Sequence, residues 1–323
     1  MNSRVKELDF LKCIFIILMI IFHLVYIGDS YPYAKQVVYT FHMSAFLVIS
    51  GYLNNVNKEI KAFGQSLLWI FIPYVCMETG YVIMSAILPV REKITELSAG
   101  LLLHKAIIAP MGPYWYLHTL MLCNASYYLM YRMTNKWKGI TRFILLGILL
   151  YGLSELKLLT FANAIYFLAG VAIRQSESNI IRIFQPSLLA LFPLIILCYF
   201  PENLNRGTLA GVTITYLVIS LLLAIYTYLT EQIKRILLYI GSNTLVILLF
   251  SPVFTILSKL YLPLFTFDAT GICFTIVSVV FVICGCFGVT YIFDRLHISP
   301  YFLGKKQMLP PILLPTSHAR SVR

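Results

Sequence analysis

Long apolar runs alternate with short charged or Pro- and Gly-containing intervals along the whole chain. Ten runs stand out, at residues 10–27, 36–53, 67–89, 113–131, 140–153, 158–173, 184–200, 208–230, 238–259 and 267–293. Crossing the hydrocarbon core takes about 20 apolar residues in a helix, so each run predicts a membrane-spanning helix. Runs 140–153 and 158–173 are short, and the alternative for them is one re-entrant hairpin. The predicted fold class is therefore an all-α polytopic membrane protein of about ten transmembrane helices. Residues 1–304 form its membrane-embedded domain, and 305–323, Pro-clustered and without periodicity, are expected to be an unstructured tail. The longest interval predicted to be non-helical is 90–112, with Arg91, Glu92, Lys93, Glu96, His104 and Lys105. It reads either as a lid over a substrate or as a solvated connector.

Composition agrees with this pattern. Of 323 residues, 59% are hydrophobic and only 12% charged, against roughly 25% charged in soluble domains. Short cytoplasmic loops collect Lys and Arg. With the N-terminus inside, 18 of the 25 basic residues fall on the cytoplasmic side, and seven (Lys35, Arg91, Lys93, Lys105, Lys157, Arg206 and Lys259) on the other. Both termini are accordingly expected in the cytoplasm. The net charge of +12 follows from the same loops and forms no basic stripe, so no nucleic-acid partner is expected. The first run lacks a small-residue cleavage site and reads as a retained signal anchor. All seven cysteines fall in predicted helices, which excludes a disulfide framework. No metal is expected either, because Cys284 and Cys286 lack the spacing of a metal site.

Few ionisable groups interrupt the runs, and these are the candidates for chemistry. Lys12 and His23 are eleven residues apart, three turns of helix, which puts them on one stripe about 16 Å apart; Asp9 joins it. Charge in hydrocarbon is costly, so the stripe must face protein or a water-filled cavity. His42 lies at a depth similar to that of His23 on the next, antiparallel helix. A neutral imidazole suits proton transfer to and from a hydroxyl, while a hydrogen-bonded packing histidine is the plain alternative. Glu78 lies midway through the third run and must be protonated or paired. His118, among Tyr114, Trp115 and Tyr116, reads as an interfacial residue, and Asp268 as a helix cap. There is no Walker loop, G-x-S-x-G elbow, H-E-x-x-H or dinucleotide fingerprint, which argues against an ATP-driven pump or a soluble-type hydrolase.

Over residues 4 to 304 the chain resembles acyltransferase family 3, integral membrane proteins that O-acetylate glycans. The segment R-V-K-E-L-D-F-L-K, ending at Lys12, followed by His23, is similar to the family's first helix, with Lys12 where Arg is usual. Phe41 to Leu53, F-H-M-S-A-F-L-V-I-S-G-Y-L, resembles the family's F-H-M-P-x-F-F-x-x-S-G-Y/F segment, with Ser44 for Pro. Further similarity lies at Ile72-Pro73-Tyr74, Trp115-Tyr116-Leu117 and Gly241-Ser242-Asn243-Thr244-Leu245. The resemblance implies cytoplasmic acetyl-CoA as donor and, as acceptor, a hydroxyl of a cell-surface or lipid-linked glycan at the cell membrane. It casts His23 as general base, with His42 or Glu78 orienting it or handling a second proton, and Lys12 beside the donor. Two departures stand out. The R-x-x-R common before the L-I-P turn is missing, leaving Lys58 and Lys61 to meet the nucleotide, and Ser251 stands where relatives commonly have a late His. Two rival readings remain at this point: a transporter or flippase with a His/Glu track, and a complex partner without activity.

Overall fold

The computed structural model describes residues 5–87, 94 and 96–309. Among these no strand forms, as expected where backbone polar groups must be satisfied within one segment. In chain order the helices are α1 (Lys6–His23), α2 (Val25–Ser30), α3 (Pro32–Leu53), α4 (Ile60–Ile87), α5 (Ala99–Ile107), α6 (Trp115–Met133), α7 (Gly139–Glu155), α8 (Phe161–Gln175), α9 (Ile180–Ile183), α10 (Leu191–Tyr199), α11 (Leu209–Tyr228), α12 (Glu231–Ser242), α13 (Thr244–Leu257), α14 (Ile272–Arg295) and α15 (Ser299–Phe302). Sequence explains many of the starts. Pro32 opens α3, and the side chains of Ser98, Thr160, Asn179 and Thr208 accept the first free amides of α5, α8, α9 and α11. Asp268 caps α14 by accepting from the amide of Cys273 at 2.6 Å.

Four helices, α3, α4, α11 and α14, are each long and apolar enough to cross a membrane, and the pair α12–α13, bent by 79°, makes a fifth candidate. The remaining predicted runs are helical in shorter or more polar pieces. Run 10–27 breaks at Leu24, whose extended backbone (ψ 107°) separates α1 from α2. Within 184–200 only Leu191–Tyr199 is α-helical, preceded by a 3₁₀ turn. Runs 140–153 and 158–173 become α7 and α8, each a separate helix. Part of the interval 90–112 is helical after all: Ser98 accepts the amide of Leu101 and nucleates α5. Residues 90–93 and 95 of that interval lie outside the described residues. So do 310–323 of the tail, while Met308 is buried and donates its amide to Asp294 at 2.8 Å.

α1 occupies the centre of the bundle, touching α3, α11, α12, α13 and α14. Its inner face, Phe15, Ile16, Met19 and Ile20, is buried. α3 is buried along most of its length and packs on α8. Glycine makes both approaches possible. A Cβ on Gly51 would fall 2.2 Å from the Phe167 carbonyl oxygen, and one on Gly170 would fall 2.0 Å from that of Val48. Likewise, a Cβ on Gly241 of α12 would fall 1.7 Å from the Asp9 carbonyl oxygen of α1. Small residues let helix backbones meet where lipid supplies no hydrophobic drive for association.

A paired substitution tests this packing. In detergent-solubilised protein, Gly170→Ala should lower thermal stability by about 1–3 kcal/mol through overpacking. Gly80→Ala, in a position with nothing within 4 Å, should be neutral or stabilising by up to about 1 kcal/mol through helix propensity. Equal melting shifts for the two would refute the crossing as the constraint.

Candidate active site

His23 is the last residue of α1, at the break before Leu24, rather than several residues inside a longer helix. His42 lies within α3 and is 3% exposed. Each imidazole places Nδ1 2.7 Å from the carbonyl oxygen four residues back in its own helix, Met19 for His23 and Val38 for His42. A carbonyl oxygen only accepts, so in both rings Nδ1 carries the proton. The Nε2 of each neutral ring is thereby left with its lone pair, the arrangement a general base requires. Tyr39 lies between them, its ring centroid 6.3 Å from that of His23 and 5.1 Å from that of His42. Both histidines line one cavity of about 720 Å³, together with Lys35, Gln36, Thr40, Trp115 and Arg206.

Lys12 belongs to a second cavity, of about 360 Å³, reached from the opposite ends of α1 and α3. Its ammonium is 2.7 Å from the Asp9 carboxylate, one turn back, so the charge enters the bundle already partnered. Across the cavity Ser50 and Tyr116 share a hydrogen bond of 2.9 Å, tying α3 to α6, and Asn54 donates to Asn124 at 2.7 Å. Lys58 lines the same space and donates to Ser66 at 3.1 Å. A third cavity, about 900 Å³, adjoins through Leu53, Asn54 and Asn55 and adds Asn57, Arg174, Gln175 and Asn179. The histidine and lysine cavities also meet, because Met43 and Leu248 line both. The stripe anticipated between Lys12 and His23 is therefore bordered by two chambers with a shared wall.

The other candidates are placed elsewhere. Glu78, fully buried, lines neither chamber; its Oε1 accepts the amide of Met111 at 2.6 Å. That bond braces the turn leading to Pro113 and Trp115, which do line the histidine cavity. Lys61 is exposed near the start of α4 and also lies outside the two chambers. His118 donates Nε2–H to the Ile107 carbonyl oxygen at 2.7 Å, joining α6 to α5. Ser251 is buried within α13. Arg206 and Arg174 are the residues a motif search passes over. Their only sequence signal is basic charge in a short loop or at a helix end, and their cavities are built from distant parts of the chain.

These features define a helical membrane protein with two Nδ1-tethered histidines in one chamber and a lysine-lined chamber behind it. The chain belongs to acyltransferase family 3: the model of that family's acyltransferase domain matches residues 5–291, a span that includes every side chain named for the two chambers. No curated protein and no solved structure matches the chain. Its family makes it an acyltransferase of the membrane.

The chambers' orientation can be read by labelling. With a membrane-impermeant maleimide, Lys35→Cys should react in intact cells above the background of the native cysteines. Lys58→Cys should react only after permeabilisation. Labelling of both from one side would refute the expectation that the two chambers open on opposite faces.

Proposed function

We propose that the protein is a multi-pass cell-membrane O-acetyltransferase that moves an acetyl group from cytoplasmic acetyl-CoA to a hydroxyl of a cell-surface or lipid-linked glycan. About ten spans with both termini in the cytoplasm complete the reading. The observation that carries it is the pair of Nδ1-tethered imidazoles, whose basic Nε2 atoms belong to a chamber sharing a wall with that of Lys12.

In this reading the anionic nucleotide of acetyl-CoA is attracted to Lys12 and Lys58, with Lys61 at the exposed approach. Arg174 and the Asn54–Asn55–Asn57 amides of the adjoining cavity supply what the missing R-x-x-R would have given. Lysine attracts phosphate as a point charge, whereas the Arg174 guanidinium offers a planar fork. The pantetheine arm extends past Met43 and Leu248 to deliver the thioester to His23. Nε2 of His23 accepts the proton of the acceptor hydroxyl as its oxygen attacks the thioester carbonyl. Collapse of the tetrahedral adduct breaks the carbon–sulfur bond, the thiolate takes the proton back from the imidazolium, and the products are the acetyl ester and free CoA. His42, held in the same tautomer in the same chamber, orients the acceptor by accepting a hydrogen bond at its own Nε2 and takes up no proton of its own. Glu78 acts at one remove as a positioning residue, through Met111 and the turn that carries Trp115.

Purified protein in lipid nanodiscs, given labelled acetyl-CoA and candidate glycan acceptors, tests this reading. His23→Ala should reduce transfer by about 10²- to 10⁴-fold, the usual contribution of a general base. Lys12→Ala should raise KM for acetyl-CoA more than it lowers kcat, and Leu248→Trp, which thickens the shared wall, should lower kcat. Undiminished transfer by His23→Ala would eliminate its catalytic role. Movement of an acceptor across vesicle membranes without any label transfer would make the protein a transporter instead.

A further inference from the structure

Besides its histidines and Tyr39, the histidine cavity is lined by two ionisable side chains, Lys35 and Arg206, and by no Asp or Glu among the described residues. Both cations are held in place by aromatic rings. The Arg206 guanidinium carbon is 5.4 Å from the centre of the Trp115 ring, and Lys35 Nζ is 5.5 Å from that of Tyr39. Neither makes an ion pair within 4 Å with a carboxylate among the described residues. The two come from different elements, Lys35 from α3 and Arg206 from the loop before α11, yet flank the same pair of imidazoles.

The Arg206 loop is built rather than draped. Its own carbonyl accepts from the Tyr166 hydroxyl of α8 at 2.9 Å. Gly211 lets the loop lie against α11 so closely that a Cβ there would fall 2.7 Å from the Arg206 Cα. Burial pulls the guanidinium below its ordinary value, as expected of a cation partly stripped of water without a counter-ion. Holding such a charge is costly unless an anion arrives to share it.

We propose that Arg206 and Lys35 form an acceptor subsite for an anionic group, so that the glycan accepted here carries a carboxylate or a phosphate close to the acylated hydroxyl. The inference rests on the acyl-transfer reading for calling the bound molecule an acceptor, while the anion subsite itself rests on the cavity alone. A guanidinium fork pairs bidentately with either group, and the ammonium of Lys35 adds a second contact. A uronic-acid residue and the diphosphate of a lipid-linked sugar are two sources of the same chemistry.

Equilibrium binding to the full-length protein in zwitterionic nanodiscs, without acetyl-CoA, tests the subsite. The probes are decyl glucuronide, a short-chain polyprenyl diphosphoglucose and neutral decyl glucoside. At least one charged probe should bind about tenfold or more tightly than the neutral one, the gain expected of a hydrogen-bonded charge. Arg206→Gln and Lys35→Gln should each reduce that preference, and Arg206→Lys should keep part of it. Whichever charged probe is preferred identifies the source. Equal binding of all three, or a preference unchanged in both Gln variants that melt like the wild type, overturns the proposal. Transfer assays on the same discs separate the two readings: loss of label transfer in every case with the anion preference intact defeats acyl transfer and leaves the subsite standing.

Discussion

Backbone-to-backbone contact at the glycine crossings fixes the geometry on which everything else depends. α1 carries Lys12 and His23, α3 carries His42, and neither can slide without driving a main chain into a carbonyl group. Gly241 receives the Asp9 carbonyl of α1, and Gly51 and Gly170 seat α3 on α8. In a bilayer such contact supplies the dispersion energy that holds helices together. It also makes the height of α1 against α12 and of α3 against α8 a property of the main chain.

Within that frame Asp9, Lys12, His23 and His42 each find a partner within one turn of their own helix. Asp9 pairs with Lys12 one turn on, and each histidine bonds a carbonyl one turn back. Local satisfaction meets the cost of burying polarity without requiring a partner from another helix. It leaves Nε2 of each imidazole uncommitted. Lys35 and Arg206 follow a different rule: each rests on an aromatic ring, which steadies the charge without neutralising it.

The placement of Lys12 and His23 on α1 was legible in the sequence because it is periodic: a three-turn interval puts them on one face of any helix. Helical character was legible too, since hydropathy reports the solvent. The break at Leu24, the bend at Asn243 and the helical start at Ser98 were not, because local caps and turns decide them and a sliding average smooths them away. Arg206 and Arg174 acquire meaning only when parts of the chain distant in sequence meet at one cavity. Glu78 shows the reverse case. An acidic residue in an apolar run invites a catalytic reading, whereas its observed bond braces a turn.

The wall shared by the two chambers consists, where they meet, of Met43 and Leu248. One side chain comes from α3 and one from α13, so this contact depends on how those two helices are held. Leucine supplies a fixed apolar plug. Methionine is unbranched, with three rotatable bonds, and can change shape without moving the backbone, so the wall is fixed on its α13 side and adaptable on its α3 side.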